Sequence, residues 1–193
     1  MTRAVLSDRD TLAQIAREKA GILRPAQYAI LEHQPIEATA VLWAEAERVG
    51  AFHLDAGHWT IRQEEAGRAD QQFFLTQGKQ SLGPLRLRLL GEHQLRNARL
   101  AVIAALAFSE KTKRVLPDEA IGRGLFGVKV PVRMELIEDE AGKRDWLLDG
   151  AHNRESAAAL AAAVRRHFAD RPVRLAIGMM RDKNPQAFLE ELK

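Results

Sequence analysis

The apolar run Trp146-Leu147-Leu148 breaks into Asp149-Gly150-Ala151-His152-Asn153, and an alanine-rich stretch from Ser156 to Ala163 follows. A short apolar run, a tight polar turn and a string of the strongest helix former read as strand, loop and helix. Asp149, His152 and Asn153 then stand at the carboxyl end of the strand. In open α/β sheets that is where ligands bind. The same residue types also stabilise turns, and Asn153 suits the N-cap of the helix after it. On the residues alone, both readings stay open.

The 193 residues suffice for one ordinary domain, or for one domain and part of another. A hydrophobic share of 46% allows a real core. The 29 basic residues nearly balance the 26 acidic ones and are interspersed with them, which argues against a nucleic-acid surface. With no cysteine there is neither a disulfide frame nor a thiolate metal site. No leader-like apolar region opens the chain, and no apolar run is long enough to span a membrane. The expectation is a cytoplasmic protein with no membrane partner.

Residues 11–20 read as a helix with Asp10 as N-cap, Gly21 in the left-handed position beyond its end, and Pro25 as a stop. A short strand at 27–31 and a helix at 36–49, between Pro35 and Gly50, come next. Short alternating segments fill 52–90, with strands at Phe73-Phe74-Leu75 and Leu85-Arg86-Leu87-Arg88-Leu89. The helix predicted at 94–108 is nearly all apolar after Leu100 and should be buried, and Asn97 inside it needs a hydrogen-bond partner. A shorter helix at 118–125 leads to a hairpin of strands at 134–137 and 146–148. The helix at 155–168 groups Ala157, Leu160, Ala161, Val164 and Phe168 on one face and places Arg165, Arg166 and His167 in its last turn. A strand at 173–177 and a helix from 184 close the pattern. One such βαβα unit is too little for a complete Rossmann-like domain.

Three segments in order carry a family resemblance: Arg17-Glu18-Lys19-Ala20-Gly21-Ile22, Gly91-Glu92-His93-Gln94-Leu95-Arg96-Asn97-Ala98, and the Asp149-Gly150-Ala151-His152-Asn153 turn. They resemble the REKAGI, G-x-H-Q-x-x-N-A and DGAHNP motifs of the folylpolyglutamate synthase/dihydrofolate synthase family, within the Mur ligase superfamily. The resemblance implies an α/β chain. Residues 1–127 would be the rear part of a Mur-ligase-type central domain, and residues 128–193 the first βαβα portion of a Rossmann-like C-terminal domain. It implies an ATP-dependent ligase that adds L-glutamate to dihydropteroate or a folate through an acyl phosphate, with ATP and Mg2+ as cofactors.

The same resemblance implies roles residue by residue. Asp149 would contact ATP and His152 would lie near its phosphates. Asn97 would bind the adenine end, with His93 and Gln94 in support. Lys19 would be carbamylated, and the carbamate would help place magnesium, since a free ammonium cannot ligate a metal. Arg133 matches the arginine of a P-G-R signature that meets the ATP phosphates, a task suited to a fixed planar cation. Val132 stands where the family has Gly. A β-branched residue resists positive φ, so a diverted backbone is expected there. Arg154 replaces the family's Pro. Asp182 and Lys183, in Gly178-Met179-Met180-Arg181-Asp182-Lys183-Asn184, match its G-M-x-x-D-K-D stretch.

No G-x-x-x-x-G-K-[ST] phosphate loop occurs in these residues, nor a G-x-G-x-x-G. The family's metal-binding His, counted back from Lys19, would fall at Ala4. The chain therefore reads as a fragment cut at both ends, inactive alone and completed by a missing N-terminal half with a phosphate loop. Alternatives are another Mur-type amino-acid ligase, a degenerate non-catalytic module, or half of a split protein.

Overall fold

The computed structural model describes residues 11–139, 144–180 and 183–192. The described chain is mixed α/β and forms two compact units, Met1–Trp59 with Leu100–Val115, and Thr60–Arg99 with Leu116–Lys193.

In the first unit, helix α1 (Leu12–Ala20) is capped by Thr11, while the expected cap, Asp10, lies outside the described residues. The Thr11 hydroxyl accepts from the Gln14 amide at 3.2 Å, and the Gln14 side chain accepts from the Thr11 amide at 2.7 Å. Both orphan donors are thereby satisfied. Gly21 is right-handed, with φ −60°, and not left-handed as its position suggested. Bonds from Gly21 N to Glu18 O and from Leu23 N to Ala20 O tighten the last turn without reversing the chain. Strand β1 (Tyr28–Leu31), helix α2 (Ile36–Val49) and strand β2 (Phe52–Asp55) form a βαβ unit, with Tyr28 paired to Phe52 and Leu31 to Asp55. α2 ends at Gly50 as expected, and Gly50 is left-handed, φ 72°. The buried set is small-residue rich: Ala16, Ala20, Ala29, Ala38, Ala46 and Ala56.

Helix α3 (Glu92–Thr112) gives its later turns to this unit. Val102, Ile103 and Ala107 are buried, but Ala101 and Ala104 are exposed and Phe108 is 59% exposed. The helix is thus half-buried, and the expectation of full burial is corrected. Its apolar residues run all round, and its neighbours cover one stripe.

The second unit begins with the antiparallel sheet β3 (Thr60–Ala66), β4 (Gln71–Gln77) and β5 (Gln80–Leu87), in that order. Alternate residues of central β4, Gln71, Phe73 and Leu75, are fully buried. Gln71 is polar in a core position because its amide nitrogen donates to Leu89 O at 2.7 Å and Gly91 O at 3.1 Å. Those bonds fix the path into α3. Helix α4 (Asp118–Gly127) follows, then the hairpin β6 (Glu135–Ile137) and β7 (Trp146–Leu148), with Leu136 opposite Leu147. Helix α5 (Arg154–His167) packs into a core of Leu90, Met134, Ala163 and Phe168, flanked by Leu136, Leu147, Leu160 and Val164.

The strand expected at 173–177 is not formed. Val173, Leu175 and Ile177 are 59%, 52% and 41% exposed, and no strand among the described residues pairs with the segment. Apolar alternation alone does not make a strand without a neighbouring ladder. Helix α6 (Pro185–Glu191) starts at an Asn184 cap. No helix among the described residues is long and apolar enough to cross a membrane.

Candidate functional site

Asp149 follows β7 and holds the turn together. Its Oδ2 accepts from the Met134 amide at 2.9 Å and its Oδ1 from the Ala151 amide at 2.8 Å. The Gly150 amide donates to Val132 O at 2.9 Å. The turn is thereby stitched to the segment before β6, which carries Arg133.

That segment is strained. Val132 has φ 58° and Met134 φ 48°. For residues with a Cβ this conformation costs roughly 1–2 kcal/mol each. It persists because the Val132 amide donates to a Glu135 carboxylate at 2.9 Å and the Val132 carbonyl accepts from Gly150. The expectation that Val132 diverts the backbone is therefore corrected. Val132 takes the left-handed conformation for which a glycine would be the easier choice, and the hydrogen bonds hold it there. Arg133, between the two strained residues, is exposed, and its guanidinium lies beside Gly150, 3.9 Å from where a Cβ would stand.

His152 is exposed, with Nδ1 2.9 Å from Gly150 O. A carbonyl only accepts, so this hydrogen bond puts a proton on Nδ1. Asn153 caps α5. Its side chain accepts from the Ser156 amide at 2.8 Å, and the Ser156 hydroxyl lies 3.1 Å from the Asn153 amide. This capping box was not visible as one, because Ser takes the place of the usual Glu or Gln.

The first turn of α3 supplies the second wall. Gly91, at φ 99°, brings the chain so close that a Cβ there would sit 2.9 Å from His93 Cε1 and 3.3 Å from Ala163 Cβ. His93 is half-buried, and this burial pushes its pKa below the ordinary histidine value. Arg96 and Arg133 act in the same direction, while Asp149 and Glu92 oppose it. His93 is therefore within electrostatic reach of Asp149 and Arg133. The motif alone implies only a supporting role for it. Asn97, one helical turn on, shares its face. It is exposed, not buried, and donates to the buried Gln94 side chain at 3.1 Å.

Asp149 and His152 thus share one turn, the segment of Arg133 is stitched to it, and His93 and Asn97 share a face of α3. Lys19 belongs to the other compact unit. It is exposed in the last turn of α1, and its side chain has no partner among the described residues. Asp182 lies outside the described residues. The Lys183 amide donates to Met180 O at 3.1 Å, just before the α6 cap.

The chemistry of this donor set fits a nucleotide. A carboxylate offers about four acceptor sites, so Asp149 keeps capacity after its two backbone bonds. Arg133 offers a planar fork suited to phosphate. His152 Nε2 and the Asn97 amide are polar and reachable. Magnesium fits less well: among the described residues no group of three His, Asp or Glu side chains gathers.

Residues 132–192, which include the stitched turn and the alanine-rich helix after it, match the family described as Mur ligase, glutamate ligase domain. Over 185 residues, 95% of this chain, the sequence is 31% identical to the dihydrofolate synthase/folylpolyglutamate synthase of Bacillus subtilis. The crystal structure of folylpolyglutamate synthase from Thermotoga maritima superposes with a TM-score of 0.80 over 97% of the chain, at 29% identity. Folylpolyglutamate synthase of Mycobacterium tuberculosis complexed with ADP superposes with a TM-score of 0.74 over 87% of the chain, at 29% identity. The chain is a relative of the folylpolyglutamate synthase/dihydrofolate synthase family of Mur ligases. It spans 42%, 43% and 37% of those three proteins respectively.

Proposed function

We propose that the chain is part of an ATP-dependent ligase that joins L-glutamate to dihydropteroate or a folate through an acyl phosphate. Residues 1–127 would belong to its central domain and residues 128–193 to its C-terminal ligase domain. The observation that carries this reading is the Asp149 turn. Its hydrogen bonds tie together the two segments that carry the exposed Arg133 and His152, in a region matched to a glutamate ligase domain. That a relative of similar fold is known complexed with ADP supports nucleotide binding in this reading.

In this reading Asp149 accepts from the ribose or from water on the metal, Asn97 meets the base, and Arg133 neutralises phosphate charge as it builds up. His152 would donate from Nε2 to a phosphate oxygen only as the doubly protonated ring, and the neutral His93 adds no cation to those already present. Lys19 would hold Mg2+ only as its carbamate. ATP, when bound, supplies the phosphoryl group that activates the acceptor carboxylate. A phosphate-loop half would complete the site, since none of these residues forms such a loop.

The test is glutamate- and folate-dependent ADP release by the purified chain, alone and with a separately expressed N-terminal half of a relative that carries the phosphate loop. Release only in the mixture is expected. A mixture that stays silent although the added half is folded and binds nucleotide would favour a degenerate, non-catalytic module.

A further inference from the structure

We infer that Gln71 is a positioning residue for the ligand-facing start of α3: from the central strand of the sheet it sets where the first turn of the helix, and with it His93 and Asn97, stands. The inference rests on the reading that this face of α3 meets a nucleotide, and it adds the residue that holds the face in place.

Gln71 begins β4, whose alternate residues Phe73 and Leu75 are apolar and, like Gln71, fully buried. A buried amide adds little net stability even when its bonds are made, so an apolar side chain would serve the core as well. What the amide supplies is geometry. Its Nε2 donates to Leu89 O at 2.7 Å and to Gly91 O at 3.1 Å. Carbonyl oxygens only accept, so both N–H groups are committed and Oε1 faces the other way. There the Gln63 side chain donates to it at 3.0 Å. One orientation satisfies this chain of bonds, and a flipped amide would set an oxygen against two carbonyl oxygens.

The start of α3 is decided at Gly91. Glycine has no side chain with which to cap a helix, and its φ of 99° is open to few other residues. Its carbonyl accepts from the Gln94 amide at 3.0 Å and the Leu95 amide at 3.4 Å, the first bonds of the helix. Gln71 therefore grips the oxygen on which α3 begins. His93 lies just beyond, and a Cβ on Gly91 would sit 2.9 Å from its ring. The buried Gln94 side chain accepts from Asn97 at 3.1 Å. A displaced Gly91 carbonyl moves both residues together.

The test compares Gln71→Met, which keeps the length and loses the donor, with Leu75→Val, which trims the same face of β4 and does not touch the Gln71 bonds. ADP affinity and the titration of the His93 ring are both read by NMR on the intact chain. Gln71→Met should weaken ADP binding about fivefold or more. It should also raise the His93 pKa toward the ordinary 6.5, because the ring loses the burial that lowers it. Leu75→Val should leave both unchanged, although it too destabilises the fold. Gln63→Ala, which removes only the donor to Oε1, should give smaller shifts in the same directions, and it decides the matter if Gln71→Met does not fold. Shifts that are absent, or that Leu75→Val reproduces, overturn the inference and leave Gln71 a core residue only. If the unsubstituted chain binds no ADP, the nucleotide reading fails. The His93 titration then decides the positioning by itself: a shift confined to the glutamine variants sustains it, and no shift overturns it.

Discussion

The Asp149 turn and the Lys19 helix end were equally legible as motifs, yet they are built very differently. Asp149 accepts two backbone amides, Gly150 donates back to Val132, and Asn153 and Ser156 close the helix start. Its surroundings are determined by residues within one compact unit. Lys19 is an exposed side chain on a capped helix, and nothing described around it fixes its direction. A motif whose own hydrogen bonds hold it can be judged from this chain. A motif that works by meeting groups elsewhere cannot draw its geometry from its own helix.

The sharpest way to break that comparison is Asp149→Ala. It leaves the Met134 and Ala151 amides without their acceptor in a partly buried turn, so unfolding should cost about 2–4 kcal/mol less. Denaturant titration measures it, and a loss under about 0.5 kcal/mol would mean that the turn does not depend on the carboxylate. Asn153→Ala removes the α5 cap and should cost about 1 kcal/mol by the same assay. Val132→Gly should gain up to about 1 kcal/mol, because relief of the left-handed strain outweighs the added chain entropy. A thermal midpoint that falls would show that Val132 is not strained. Lys19→Ala should change stability by less than about 0.5 kcal/mol, and a larger loss would reveal a structural role for this exposed residue.

A pH series sharpens the picture inside the second unit. His167 is 4% exposed, its Nδ1 is 2.7 Å from Gly67 O, and its buried Nε2 has no hydrogen-bond partner among the described residues. Burial lowers its pKa below the ordinary 6.5; the Gly67 bond opposes the shift and Arg166 adds to it. The unfolded chain then takes up the proton first. Stability is full above about pH 6.5 and falls as pH drops from there toward the lower folded value. His93, lowered likewise, adds to the slope. His167→Asn should flatten the fall of the unfolding midpoint between about pH 7 and 5. An unchanged profile would assign the dependence elsewhere.

Much of this was readable because local chemistry decided it. Pro35 and Gly50 bracket α2, the Trp146 hairpin pairs as expected, and Asn153 caps α5. What was missed depended on three-dimensional neighbours. The exposure of Asn97 and Phe108 follows from which stripe of α3 is covered, which the all-round apolar sequence does not encode. Residues 173–177 have the alternation of a strand but no ladder partner. Gly91 hinted at His93 through its motif, but only the close approach to Ala163 shows why glycine is needed. Val132 went the other way. Its residue type argued against the left-handed turn, and hydrogen bonds from both sides overrode it.

The most direct test of the central claim, that the Asp149 turn is the chain's nucleotide site, is an amide-resolved NMR titration of the purified chain with ADP. Saturable shifts concentrated at residues 149–153, 133 and 97, weakened at least tenfold by Arg133→Ala, are the predicted result. Shifts that avoid these residues, or an affinity untouched by the substitution, would contradict it.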